Sequence, residues 1–283
     1  MSRLLSVVGA QVRPVPFDPG ATLEKFGREV RMLRAAFPKS QLYIFPELYL
    51  TGEHPFAPGA PPRFESSVAQ PIPGPLTREV GAIAKRVERW IVAGSIVERD
   101  GEHLYNTLIA FSPAGRLVAR YRKMFTWRPW ETFALGTEPP PVLGIPGVGK
   151  VGMMICYDGW FPEVARGLAL RGAELIAHPT LTTTPDRSEE LVMARANAIA
   201  NQCYVVNVNA SVTIGGGRSI AVDPEGRVLF EAGAGEEFLP EMLDLDRVAA
   251  VRTHGTRGLN KLMHHVRVAP RSAYDHYRTL GTD

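Results

Sequence analysis

The 283-residue chain is 45% hydrophobic and 22% charged, with a formal net charge of +3; such values suit a soluble globular protein with a sizeable core. Its Lys and Arg residues recur singly from Arg3 to Arg278, which argues against a nucleic-acid-binding face, and no apolar run reaches membrane-spanning length. Two cysteines, Cys156 and Cys203, are too few for a disulfide framework, and neither has a partner at metal-ligand spacing, so a reducing, cytoplasmic setting is expected.

The chain opens on the β-rich apolar run Leu4–Gln11. It leads straight into Val12-Arg13-Pro14 and reads as a buried first strand, not a signal peptide. Leu23–Ala36 has helical spacing through Phe26, Val30 and Leu33, and Leu42–Phe45 is a short apolar strand closed by Pro46. Pro73-Gly74-Pro75 punctuates a loop before a helical stretch from Leu76 to Arg89. Trp90–Val97 then reads as a strand ending in the turn Arg99-Asp100-Gly101. Asn106–Ser112 and Leu117–Tyr121 flank the turn signal Pro113-Ala114-Gly115, a hairpin pattern. From Lys123 to Gly149 the chain is proline-rich, aperiodic and aromatic, as in an ordered loop over a pocket.

Alternation resumes with a strand at Lys150–Ile155, a helix at Pro162–Arg171 and a strand at Leu175–His178. A helix at Glu189–Asn201 and strands at Tyr204–Ala210, Ser219–Val222 and Val228–Phe230 follow. Mixed elements without a linker predict one α/β domain over residues 1–283, with an extended tail from about Arg252 that packs on another surface, such as a second subunit. The tail carries His254, His264, His265 and His276 without the i, i+4 spacing of a helical metal site. No metal or other cofactor is expected.

Three strand ends carry residues suited to nucleophilic chemistry. Cys156 follows Val151–Ile155 on a turn into a helix, where backbone N–H groups can stabilise an oxyanion. The same position suits a buried, inert thiol, and local sequence does not separate the two. Glu47, in Ile44-Phe45-Pro46-Glu47-Leu48, has the place and the apolar neighbours of a general base, or of a plain loop carboxylate. Lys123 ends Arg120-Tyr121-Arg122-Lys123, where edge protection is the alternative.

Taken together and in order, the Phe45-Pro46-Glu47 block, the Tyr121-Arg122-Lys123 block and the block Gly152-x-x-Ile155-Cys156-Tyr157-Asp158-x-x-Phe161-Pro162-Glu163-x-x-Arg166 resemble the nitrilase superfamily of carbon–nitrogen hydrolases. Gly172–Ile176, Arg195–Asn201 with Tyr204–Asn207, and Gly217–Gly226 extend the resemblance over nearly the full chain. It implies a four-layer α-β-β-α sandwich and a Glu–Lys–Cys triad. Cys156 would be the nucleophile, Glu47 the proton carrier, and Lys123 with the Tyr157 N–H the oxyanion donors. Glu131 matches the second glutamate of the family more loosely. Tyr157-Asp158 after the cysteine, in place of the Trp-Glu usual among nitrile hydrolases, resembles the amidase and carbamoylase branches. A small amide or N-carbamoyl substrate and a homodimer are implied; the alternatives are a nitrilase and a non-catalytic binding member of the fold.

Trp127, Trp130, Tyr157, Trp160, His178 and Thr180 are candidates to line the pocket, with plain packing as the competing role for each. Cys203 reads as a core thiol. Asp158 and Glu163 are expected to hold the turn and helix after the nucleophile by capping-type hydrogen bonds.

Overall fold

The computed structural model describes residues 2–52, 59–211 and 216–279. In chain order its elements are β1 (Leu4–Gln11), α1 (Pro19–Ala36), β2 (Leu42–Ile44), α2 (Phe64–Val68), α3 (Pro75–Val87), β3 (Trp90–Asp100), β4 (His103–Phe111) and β5 (Leu117–Arg122). Then come β6 (Val142–Ile145), β7 (Gly149–Met153), α4 (Pro162–Leu170), β8 (Leu175–Thr180), α5 (Arg187–Asn201) and β9 (Tyr204–Asn209). The chain continues through β10 (Ile220–Val222), β11 (Val228–Glu231), β12 (Glu237–Asp244), α6 (Leu245–His254) and α7 (Leu262–Val268).

The strands form two six-stranded sheets, ordered β12-β1-β2-β3-β4-β5 and β11-β10-β9-β8-β7-β6. Each has three parallel strands at its centre, β1-β2-β3 and β7-β8-β9, with antiparallel strands outside them. Parallel strands need crossover helices, which cover the outer faces. On α1, Phe26, Val30 and Leu33 form a buried stripe, and with Val80, Ile83 and Val87 of α3 they pack on the first sheet. Leu191, Ala194 and Ala198 of α5 and Val164 and Leu168 of α4 do the same for the second sheet. A third core lies between the sheets, joining Val7, Ile44 and Leu108 to Met153, Leu175 and Val206. The result is the four-layer α-β-β-α sandwich that the resemblance implies.

Four differences from the sequence reading have local causes. β3 runs through Arg99 and Asp100, so its turn falls at Gly101-Glu102; Asp100 is held in the strand by pairing with His103 and by an ion pair to Arg122. The segment from Lys123 to Gly149 contains β6, which pairs with β7. The edge strand β12, with Pro240 in its middle, pairs along the whole of β1, and its mixed burial hides it from a periodicity search. Position 252 lies inside α6, and the segment beyond it is helical and packs on its own chain rather than trailing as an extended tail. Arg252 donates to the carbonyls of Ala173, Asn201 and Gln202, and the Tyr277 hydroxyl donates to Glu163. Glu163 therefore ties down this C-terminal segment and makes no helix cap.

Candidate active site

Loops at the carboxyl ends of the parallel strands converge in one place, where open sheets of this kind bind ligands. Glu47 follows β2. Its N–H reaches the Thr180 carbonyl of the second sheet at 3.3 Å, and the next N–H, of Leu48, donates to Ser95 Oγ at 3.0 Å. Gly94 makes this approach feasible: at φ +72 on the bulge of β3, any Cβ there would run into the Pro46 carbonyl oxygen. Lys123 leaves β5 with its N–H on the Asn106 carbonyl at 2.8 Å, and it is 1% exposed. Glu131 comes from the following loop, eight residues on.

The three side chains form one buried cluster. Lys123 Nζ donates to Glu47 Oε1 at 2.9 Å and to Glu131 Oε2 at 2.7 Å. Asn106 Nδ2 donates to Glu47 Oε1 at 2.8 Å and to Glu131 Oε1 at 3.0 Å, so one amide group spans both carboxylates. Glu131 Oε2 also accepts the Trp127 N–H at 2.6 Å. An ammonium has three N–H bonds; two are committed here, which leaves one for an oxygen in the adjoining cavity.

The electrostatics split the two glutamates. Burial raises the Glu47 pKa above its ordinary value, opposed by Lys123 and helped by Glu131. Burial acts the same way on Glu131, but Lys123, the Trp127 N–H and Asn106 outweigh it and bring its pKa below the ordinary value. Lys123 is desolvated, yet the carboxylates of Glu131 and Glu47 hold its pKa well above the usual lysine value. Glu47 is thus the carboxylate that can exchange a proton, and Glu131 the fixed counter-ion.

Cys156 stands beside them on the wall of the same cavity, with its Sγ 3.8 Å from Thr182 Oγ1. Its backbone has φ +41, in the left-handed region, as the first residue of a short 3₁₀ turn, Cys156–Trp160. A non-glycine residue persists there only when its surroundings impose it. Asp158 supplies part of that constraint, accepting the Ile155 N–H at 3.0 Å, the Phe125 N–H at 3.0 Å and the Tyr121 hydroxyl at 2.8 Å. It holds the turn, as the sequence suggested, and also ties it to the loop that carries Glu131. Burial pushes the Asp158 carboxyl up to about 6. Burial, and Glu47 after it, raise the Cys156 thiol well above its usual pKa, so the resting group is a thiol that needs a base.

Glu47, Lys123, Glu131 and Cys156 line a narrow cavity of about 40 Å³ together with Leu48, Trp127, Tyr157, Trp160, Leu181, Thr182, Thr183, Thr184 and Asp186. Of the predicted lining residues, Trp127, Tyr157 and Trp160 are in place. Trp130 is exposed and stacks edge-on against Trp127. His178 and Thr180 are not part of the wall. Both lie on β8, every residue of which is buried, and point into the protein. Thr180 Oγ1 donates to Asn209, and His178 bonds the Cys156 carbonyl from behind. Cys203 is fully buried beneath α4 and α5, as expected of a core thiol.

Sequence reasoning missed Asn106, Asp186 and the threonines after β8. Asn106 left a trace, a polar residue in the apolar run Leu104–Phe111; the threonines left none. Among the described residues, no group of three or more His, Cys, Asp or Glu could hold a metal ion, and no helix is long and apolar enough to cross a membrane.

A cysteine beside a carboxylate and a buried ammonium, at the strand ends of an α-β-β-α sandwich, defines a hydrolase of carbon–nitrogen bonds other than peptide bonds. Residues 5–253 match the carbon-nitrogen hydrolase family, and the chain belongs to it. It is 33% identical over 208 residues to the omega-amidase NIT2 of Mus musculus, covering 65% of this chain and 72% of that one. It is 32% identical over 203 residues to a formamidase of Bacillus thuringiensis, covering 69% of this chain and 59% of the relative. Among solved structures, an amidase from Nesterenkonia sp. superposes with a TM-score of 0.75 at 27% identity, covering 89% of this chain and 94% of the other. Variants of that amidase have been solved in complex with butyramide and with acrylamide added at the active-site cysteine. Amide hydrolysis is the activity these relatives share.

Proposed function

We propose that this chain hydrolyses a short, uncharged carboxamide to the carboxylic acid and ammonia through a thioester on Cys156. The observation that carries the chemistry is the ammonium of Lys123 held between Glu47 and Glu131 beside the Cys156 thiol. Glu47 takes the thiol proton as sulfur attacks the carbonyl carbon, and the C–S bond forms. Negative charge moves to the carbonyl oxygen, where the spare N–H of Lys123 and the Tyr157 N–H receive it. Glu47 returns its proton to the nitrogen, the C–N bond breaks and ammonia leaves. Glu47 then deprotonates a water that attacks the thioester, the C–S bond breaks as Glu47 gives that proton to the departing sulfur, and the acid is released. Glu131 keeps Lys123 charged and aimed.

The substrate is argued from the cavity walls. At about 40 Å³ the cavity is far below the roughly 300–1,000 Å³ of drug-sized sites. Among the described residues Lys123 is the only Lys or Arg that lines it, and Asp186 adds a carboxylate. An acyl chain ending in its own carboxylate would meet no free cation there. Ammonia release from short neutral amides, monoamides of dicarboxylic acids, N-carbamoyl amino acids and nitriles tests this reading. Neutral amides are expected to lead in kcat/KM by about tenfold or more, roughly the 1.4 kcal/mol of one unfavourable charge contact. A preference for any carboxylate-bearing substrate, or for nitriles, would sink it.

The reading takes residues 1–283 as one hydrolase domain, working as a homodimer in the reducing cytoplasm, where both thiols stay free. Leu170 at the end of α4, Val192 and Ile199 on α5 and Val268 on α7 are exposed apolar residues on one group of packed helices, a face suited to a second copy. Sedimentation at micromolar concentration should give the dimer mass; a monomer removes this part of the proposal.

A further inference from the structure

His178 is not among the residues that line the cavity, yet it is hydrogen-bonded to the nucleophile turn from behind. Its Nε2 lies 2.8 Å from the Cys156 carbonyl oxygen and its Nδ1 lies 3.0 Å from Asn207 Nδ2. A carbonyl oxygen only accepts, so Nε2 carries the proton; an amide nitrogen only donates, so Nδ1 accepts. The orientation of Asn207 is fixed independently, because its Oδ1 accepts from Arg187 Nη2 at 2.8 Å. Arg187 in turn is anchored on Glu190 at 2.7 Å and on the carbonyls of Gly217 and Arg218. The Cε1–Nε2 edge of the imidazole also packs against Gly159, where any Cβ would collide with it. Asn197 Nδ2 grips the Gly159 carbonyl at 2.8 Å, so the turn is held at both ends.

The consequence follows from peptide geometry. The Cys156–Tyr157 peptide is trans, and in a trans peptide the C=O and N–H point in opposite directions. With the carbonyl drawn back onto His178, the Tyr157 N–H faces the other way, toward the side on which Cys156 and Tyr157 line the cavity. Rotation of this peptide, through ψ of Cys156 and φ of Tyr157, would swing the carbonyl into the cavity and remove the oxyanion donor. We infer that His178 is a positioning residue: its Nε2–H, backed by Asn207 and Arg187, keeps the Cys156–Tyr157 peptide turned so that the Tyr157 N–H can receive the oxyanion. Burial keeps the imidazole pKa below its ordinary value, which suits a group needed as a neutral donor. The inference rests on Cys156 being the nucleophile.

The test compares His178→Leu with His178→Gln, whose side-chain amide can replace the Nε2–H. Alkylation of Cys156 by iodoacetamide forms no oxyanion, so it reports the nucleophile without the hole. His178→Leu should lower kcat about 100-fold, the scale of one lost oxyanion donor, with KM and the alkylation rate within about threefold of the parent. His178→Gln should recover most of the loss. Unchanged kcat in His178→Leu, alkylation falling in step with kcat, or no recovery by Gln would each overturn the inference. Cys156→Ala in the same series separates the two levels, since turnover by that variant would refute the underlying mechanism instead. Should His178→Leu fail to fold, the ¹⁵N-histidine spectrum of the unaltered enzyme decides. A buried neutral imidazole in the Nε2–H form supports the inference, and the Nδ1–H form overturns it.

Discussion

Two buried cations serve the nucleophile turn, and they are built differently. Lys123 lies against the cavity, answered by two carboxylates and with one N–H to spare. Arg187 lies behind the turn, answered among the described residues by Glu190 alone, and spends its other contacts on Asn207 and on the backbone carbonyls of Gly217 and Arg218. Burial raises Glu47, with Glu131 adding to it, while Lys123, the Trp127 N–H and Asn106 hold Glu131 down, leaving one carboxylate able to trade a proton. Around Arg187 the charges cancel one to one, and Glu190 is held below its ordinary pKa against the effect of burial. A buried ion cluster does chemistry when it is left incomplete toward a cavity; when complete, it fixes geometry.

The sharpest break of this contrast is Cys156→Ala. Turnover should fall to background with an unchanged melting temperature, whereas Cys203→Ser, in the core behind α4 and α5, should keep most activity and lose roughly 1–3 kcal/mol of stability. Activity that follows Cys203 instead would mean the wrong thiol has been assigned.

On the cavity side, Glu47→Gln should lower kcat by about 10³-fold and slow iodoacetamide alkylation, because the base is gone. Glu131→Gln should cost about 10²-fold with alkylation retained. Equal behaviour of the two variants would erase the division of labour between base and counter-ion.

Behind the turn, Arg187→Met strands Glu190 in the interior. A stability loss of about 3–5 kcal/mol is expected from urea unfolding, and an unchanged midpoint would show that the cluster is not structural.

The smallest effect is a shift in pH dependence. Glu47 must be ionised to accept the thiol proton, and its pKa is raised by burial, so kcat/KM should fall as pH drops through a value above 4.5. Glu131 contributes to that elevation, and Glu131→Gln should move the acid limb downward. An acid limb at or below 4.5 in the unaltered enzyme contradicts the electrostatic account.

The sequence by itself determined the alternation of strands and helices, and the strand-end placement of Glu47, Lys123 and Cys156. Apolar periodicity and the Pro and Gly punctuation around those residues are local properties, and they survive into the fold almost unchanged. Glu131 was readable too, through the looser resemblance of its loop to that of the family's second glutamate. Only the tertiary structure decided which side of each strand meets the cavity. Strand β8 is buried along its whole length, so alternation separates His178 from its neighbours without saying which face is the reactive one. That is why His178 and Thr180 looked like pocket residues and proved to stand behind it. The bridging amide of Asn106, the anchoring of Arg187 and the left-handed turn at Cys156 likewise depend on contacts between groups 20 to 59 residues apart in the chain. No local pattern encodes such contacts, because a buried polar side chain is placed by whichever partner packing brings within hydrogen-bonding distance.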